Sequence, residues 1–343
     1  MSEGLTSFIY VVWMLASALL VVLFILIVII YVSRYYIHRK EQHLVSQQKQ
    51  YEAMLIQYLF ADKDLHSIKA KQSLVVEQIQ QTLHTKSNKK ILVDTLIKSK
   101  GQISGEMAEI VDNLFVALKL SQCAIDKLKS KKWYVIASGI KELRIFTIKE
   151  AKKQVFAFVN DPRVDIRRQV YMYFISVFGF EGLSFLGTIE TPISKWDQIG
   201  ILKALKNNKN QEIPDVTKWL KSTNKDVVLL TLELVRLYGL LETKETLITL
   251  VNHERSEIRR KVISVFTYFN LQDVTPVLLK RYPTLPQLEQ IEVFKFLESV
   301  STVEDKAFVV KYIDCKVFEI RKSVSKILKR IENLQQSTQP KVT

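Results

Sequence analysis

A chain of 343 residues with 48% apolar content is too hydrophobic to be disordered and long enough for one extended domain or two compact ones. Nine Gly, seven Pro and the lack of any sustained period-two alternation exclude a substantial sheet and predict long helices joined by short turns. Two cysteines far apart, Cys123 and Cys315, exclude a disulfide scaffold and a paired-cysteine metal site, and a net charge of +15 points to anionic partners.

Residues 1–8 form a short N-terminus with Glu3 as its one charge, and 9–33 hold an uncharged apolar run. The 24 residues Ile9–Val32 span about 36 Å as a helix, enough to cross a hydrocarbon core of about 30 Å. Tyr10 and Trp13 flank one end, and Tyr31, Tyr35 and Tyr36 the other, as interfacial aromatics do. A cleaved signal peptide fits poorly, since no basic n-region precedes the run and the run is too long. Arg34, Arg39 and Lys40 follow it, so the positive-inside rule predicts an inner-membrane, single-pass protein with its N-terminus outside and the C-terminal domain cytoplasmic. The chain after residue 33 carries +16, which suits anionic lipid head groups at the same membrane.

Residues 34–60 read as a helical juxtamembrane connector, with Leu44, Tyr51, Met54, Leu55, Tyr58 and Leu59 on one side. Helices then cap the domain over 61–128: Asp64–Leu83, a break at Ser87-Asn88, Ile91–Ile97, and Ser104–Leu120 with Ser104 as N-cap. Lys127, Lys129, Lys131 and Lys132 precede Trp133 and Tyr134, a basic and aromatic patch open to a solvated-turn or a binding reading.

From 129 to 332 one phrase returns. An acid opens a helix at Asp165, Asp197, Asp226, Glu257, Glu289 and Glu319, at steps of 32, 29, 31, 32 and 30 residues. Five residues on stand Val170, Leu202, Thr231, Val262, Phe294 and Val324. Eight on stand Tyr173, Leu205, Leu234, Val265, Leu297 and Ile327. A two-helix unit repeating near 30 residues predicts an α-solenoid of about six to seven hairpins, each unit burying its face only against its neighbours. The apolar residues of the first helices include Val155 and Val159, Val216 and Trp219, Leu247 and Val251, and Val310 and Ile313. Residues 333–343 lose the pattern and read as a frayed tail.

The stretch Asn160–Phe178 resembles a HEAT repeat, whose turn carries Asp and whose second helix opens with Val/Ile-Arg. Asp161, Ile166 and Arg167 match that form, and Ile258-Arg259 and Ile320-Arg321 match its second element. The copies at Asp197, Asp226 and Glu289 lack the base. Stretches such as FEGLSFL and SKWDQIGIL resemble bacterial membrane-anchored HEAT-repeat proteins. The resemblance implies an armadillo-like fold and a protein-contact role, and no reaction.

No nucleophile motif, phosphate loop or paired metal-ligand spacing occurs, so no catalytic, cofactor or metal residue and no small-molecule substrate is assigned. The expectation is a non-catalytic scaffold holding a protein partner at the membrane. Contact candidates are Arg168, Met172, Arg260, Ser264, Lys322 and Lys326, with Lys129, Lys131, Lys132, Trp133 and Tyr134. The pairs Arg167-Arg168, Arg259-Arg260 and Arg321-Lys322 admit three readings, one of them a protein or lipid contact. They could form an Arg ladder bonding neighbouring turns. They could also form a basic track for nucleic acid, as in HEAT-like DNA glycosylases, which ranks lower because the track is interrupted. A HEAT-like lyase ranks below both.

Overall fold

A computed structural model of the protein describes residues 2–60, 65–206 and 211–338. Among these the regular structure is all helical, with no strand, and the chain divides into two compact units, Met1–Asp126 and Lys127–Thr343.

The first unit holds α1 (Ser2–Leu59), α2 (Leu65–Thr82), α3 (Lys86–Lys100), α4 (Glu106–Ala117) and most of α5 (Leu120–Lys127). Helix α1 is a single rod of 58 residues, about 87 Å long. Its described side chains from Leu19 to Arg39 are all exposed, and this part is long and apolar enough to cross a membrane by length and composition. Further along, Tyr51, Leu55 and Tyr58 recur at helical spacing and are buried. This half of α1 packs on α2 and α3, where the Tyr51 hydroxyl lies 3.0 Å from Thr82 Oγ1 and Lys98 pairs with Glu52 at 3.3 Å. From Tyr51 on, the expected connector packs against α2 and α3, which cover its apolar stripe, whereas residues 34–39 stay exposed.

Two local expectations shift. The break lies before Ser87-Asn88, since Thr85 caps α3 by accepting from Asn88 N at 3.1 Å and Asn88 donates to Thr82 O at 2.7 Å. Ser104 does not cap α4. Gly105 holds that place at φ +63°, without a side-chain bond. Asp64 and the rest of 61–64 lie outside the described residues.

The second unit contains α6 (Trp133–Ile145), α7 (Lys152–Phe156), α8 (Val164–Phe178), α9 (Lys195–Leu205), α10 (Thr217–Leu220), α11 (Lys225–Tyr238), α12 (Lys244–Leu250), α13 (Ser256–Phe269), α14 (Thr275–Arg281), α15 (Gln287–Val300), α16 (Lys306–Val310) and α17 (Phe318–Thr338). Each of the six acids is the second or third residue of its helix, where a carboxylate meets the positive end of the helix dipole. The long helices stack in sequence, α6 on α8, α8 on α9, α11 on α13, α13 on α15 and α15 on α17. This unit is an α-solenoid.

The two apolar columns form its core. All six residues eight beyond the acid are buried, and five of the six residues five beyond it. The exception is Leu202, half-buried on α9. Thr231, the polar member, is buried and donates its hydroxyl to Val227 O at 2.7 Å.

The first elements are shorter than their apolar spacing predicts. Several begin as a 3₁₀ turn and continue for one or two α turns, and Glu181–Thr188 is 3₁₀ throughout. That segment lies tight on α8, where a Cβ on Gly182 would overlap the Phe174 carbonyl oxygen. In the last copy Val310 and Ile313 are exposed and Val309 is buried instead. Helix α17 continues to Thr338, so the expected tail is helical that far, and 339–343 lie outside the described residues.

Candidate functional site

The basic pairs divide by position. The first member of each pair is fixed to its own turn. Arg167 Nη1 donates to the carbonyls of Asp161 (2.7 Å) and Pro162 (3.1 Å). Arg259 Nη1 donates to those of His253 (2.6 Å) and Glu254 (2.7 Å). Arg321 Nη1 donates to those of Cys315 (2.7 Å) and Lys316 (3.2 Å). The reach is to residues six and five earlier each time, so the arginine ties off carbonyls left by the preceding element.

Neighbouring repeats are also joined by charge. Arg168 Nε donates to Asp197 at 2.7 Å, and Asp197 also accepts from Ser194 Oγ at 2.6 Å. Arg259 binds the fully buried Glu289 through both Nε (2.8 Å) and Nη2 (2.6 Å). Burial pushes the Glu289 carboxyl up, but the bonds from Arg259 and Ser256 outweigh it and hold it below its ordinary value. Lys326 and Ser323 both bind Glu298, Lys326 at 2.7 Å.

Of the sequence candidates, Arg168 is thus occupied by Asp197 and lines only a small groove with Met172, Trp196 and Gly200. Lys326 is occupied by Glu298, and Lys322 is exposed one turn away on α17. Lys129, Lys131, Lys132, Trp133 and Tyr134 are exposed at the start of α6, with the two rings edge to face at 6.0 Å. Lys127 withdraws from that patch, since its Nζ lies 2.6 Å from the buried Glu142.

Arg260 and Ser264 come together in something larger. An open cleft of about 600 Å³ is lined by α9, α11, α13 and Glu292 of α15. Its apolar lining is Ile199 and Leu202 from α9 with Leu229 and Leu237 from α11. Ile199 and Leu237 are exposed. Its walls carry Lys195, Arg236, Arg260 and Lys261 against Glu233, Glu257 and Glu292. Glu233 binds both Lys261 and Arg236, and these cations more than offset the upward push of burial, so its carboxyl sits low. Arg236 also lies 5.4 Å over the ring of exposed Tyr268.

The apolar lining was not among the sequence candidates. A signal was present in α9, where Ile199 and Leu202 make a second apolar stripe beside the buried Ile201 and Leu205. Helix α11 is similar, with apolar residues on nearly every side. Among the described residues no cluster of three His, Cys, Asp or Glu is placed to hold a metal ion.

No family model matches the sequence, and no curated protein matches it. Solved structures similar to it include an engineered protein at 14% identity and TM-score 0.37, over 83% of this chain and 96% of that one. Kap121p bound to Nup53p matches at 14% identity and TM-score 0.31, over 84% of this chain and 34% of Kap121p. Kap121p bound to Pho4p matches at 14% identity and TM-score 0.31, over 86% and 35%. The chain spans about a third of Kap121p's length.

Proposed function

We propose that this protein is a non-catalytic, membrane-tethered scaffold of HEAT-like repeats whose α9–α11–α13 cleft holds a segment of a partner protein on the cytoplasmic side. The observation that carries the reading is the apolar lining of that cleft, in which Ile199 and Leu237 are exposed. Solvent-facing apolar residues gathered in a rimmed depression mark a contact surface, whereas scattered ones do not. The exposed apolar half of α1 supports the tether, and Arg34, Arg39 and Lys40 at its end support the orientation. The basic pairs offer little to a phosphate backbone, because Arg167, Arg259, Arg321 and Arg168 are already bound within the solenoid.

A photo-crosslinking side chain placed at Ile199 in the full-length protein, in native membranes, tests this. The expected result is a discrete protein adduct absent when the group sits at exposed Lys149. Adducts to nucleic acid, or equal labelling from both positions, would overturn the reading.

A further inference from the structure

We propose that the cleft takes an acidic amphipathic helix, seated by carboxylates on Arg260 and Lys195, which line it together with its apolar residues. This deepens the scaffold reading and rests on it. The carboxylates that line the cleft are already neutralised. Glu233 is held by Lys261 and Arg236, Glu257 by Lys225 at 3.5 Å, and Glu292 by Lys295 at 2.8 Å. A basic ligand would therefore meet carboxylates that are all engaged.

The bases are not all engaged. Among the described residues, neither Arg260 nor Lys195 has a carboxylate within 4.0 Å, and the buried Nε of Arg260 has no acceptor. The reason lies next door. Arg259 both ties off its turn and reaches the next repeat's acid, Glu289, so its neighbour is left with nothing inside the solenoid to bind. A guanidinium held at the wall of an apolar cleft prefers a carboxylate that can take two parallel N–H bonds. Lys195, on α9, lines the same cleft as Arg260 on α13 and suits a second acid on the same segment.

The backbone of the occupant follows from the cleft's own chemistry. Its walls are helices, whose main-chain groups are internally bonded, so no strand edge is offered. The one side-chain amide there, Gln198, gives its Nε2 to Ile193 O at 3.2 Å. An extended segment would bury peptide groups without partners, whereas a helix satisfies its own and presents apolar side chains three and four apart.

The test uses the full-length protein in nanodiscs of zwitterionic lipid. The probes are a labelled helical peptide of Leu, Ala and Glu with its apolar residues on one face, and its counterpart with Lys in place of Glu. Anisotropy should show the Glu peptide binding more tightly, with affinity falling as salt rises. Arg260→Ala should weaken it about tenfold or more, as loss of a central anchor does. Arg260→Glu should shift preference to the Lys peptide, and Lys153→Glu, on an exposed part of α7, should change nothing. Wild-type preference for the Lys peptide, binding unaffected by Arg260→Glu, or no binding of either peptide would each overturn the inference. An adduct at Ile199 in native membranes would still stand in those cases, so the scaffold reading fails separately.

Discussion

The α8–α9 and α13–α15 junctions begin with the same four residues of code, an acid followed by Ile-Arg-Arg, and solve the same problem differently. At the first, Arg167 binds its turn and Arg168 reaches forward to Asp197. At the second, Arg259 does both tasks, and Arg260 is released into the cleft. The acids differ by one methylene, Asp197 against Glu289. The longer side chain at the second junction meets the inner arginine, where it is wholly buried. A repeated phrase therefore does not fix which of its residues becomes available to a ligand. The neighbour's side chain does.

The largest effect should come from breaking the second junction. Arg259→Ala leaves Glu289 buried without its cation and frees two turn carbonyls, so it should cost about 3–5 kcal/mol, read from urea midpoints. Acid should probe the same bond. Glu289, Glu233 and Glu298 are all held below their ordinary values, in each case against an upward push from burial, by partners that include Arg259, Lys261 and Lys326. Their stabilisation is complete above an unfolded carboxylate pKa of about 4.3 and is lost as pH falls through the lowered folded values. Unfolding followed from pH 7 downward should thus show a loss beginning near that point, and Arg259→Ala should flatten it.

The first junction should give a smaller response. Arg168 is half-exposed and Asp197 keeps its bonds to Ser194, so Arg168→Ala should cost only about 1 kcal/mol in the same measurement. The smallest change should come from Arg260→Ala, within about 0.5 kcal/mol of wild type, since the residue has no carboxylate partner to lose. A large loss of stability there would erase the contrast between the two junctions.

The solenoid was legible because its signal is one of spacing. Ile166, Val227, Ile258 and Ile320, each one residue after its acid, are fully buried, and the two columns behind them follow. The Ile-Arg elements left an Arg ladder and a binding track both open, and all three arginines donate to carbonyls six residues back. The cleft was less legible because it depends on where the stacking loosens. Leu202 fits the core column by number, yet it lines the cleft with Leu229 and Leu237 of α11. Nor could residue type show that Lys127 turns away from Trp133 and Tyr134, because Glu142 lies fifteen residues further on. The short first elements were overread for a related reason. Two or three apolar residues at helical spacing suit a 3₁₀ turn and a stub of helix equally well.

The unbroken course of α1 has a mechanical corollary. No hinge separates its lipophilic half from Tyr51, Leu55 and Tyr58, which are locked into the bundle starting about 16 Å beyond Lys40 along the rod. Were that half embedded in a bilayer, any tilt or rotation of it would be handed on, undamped, to the helices clasped around the other end.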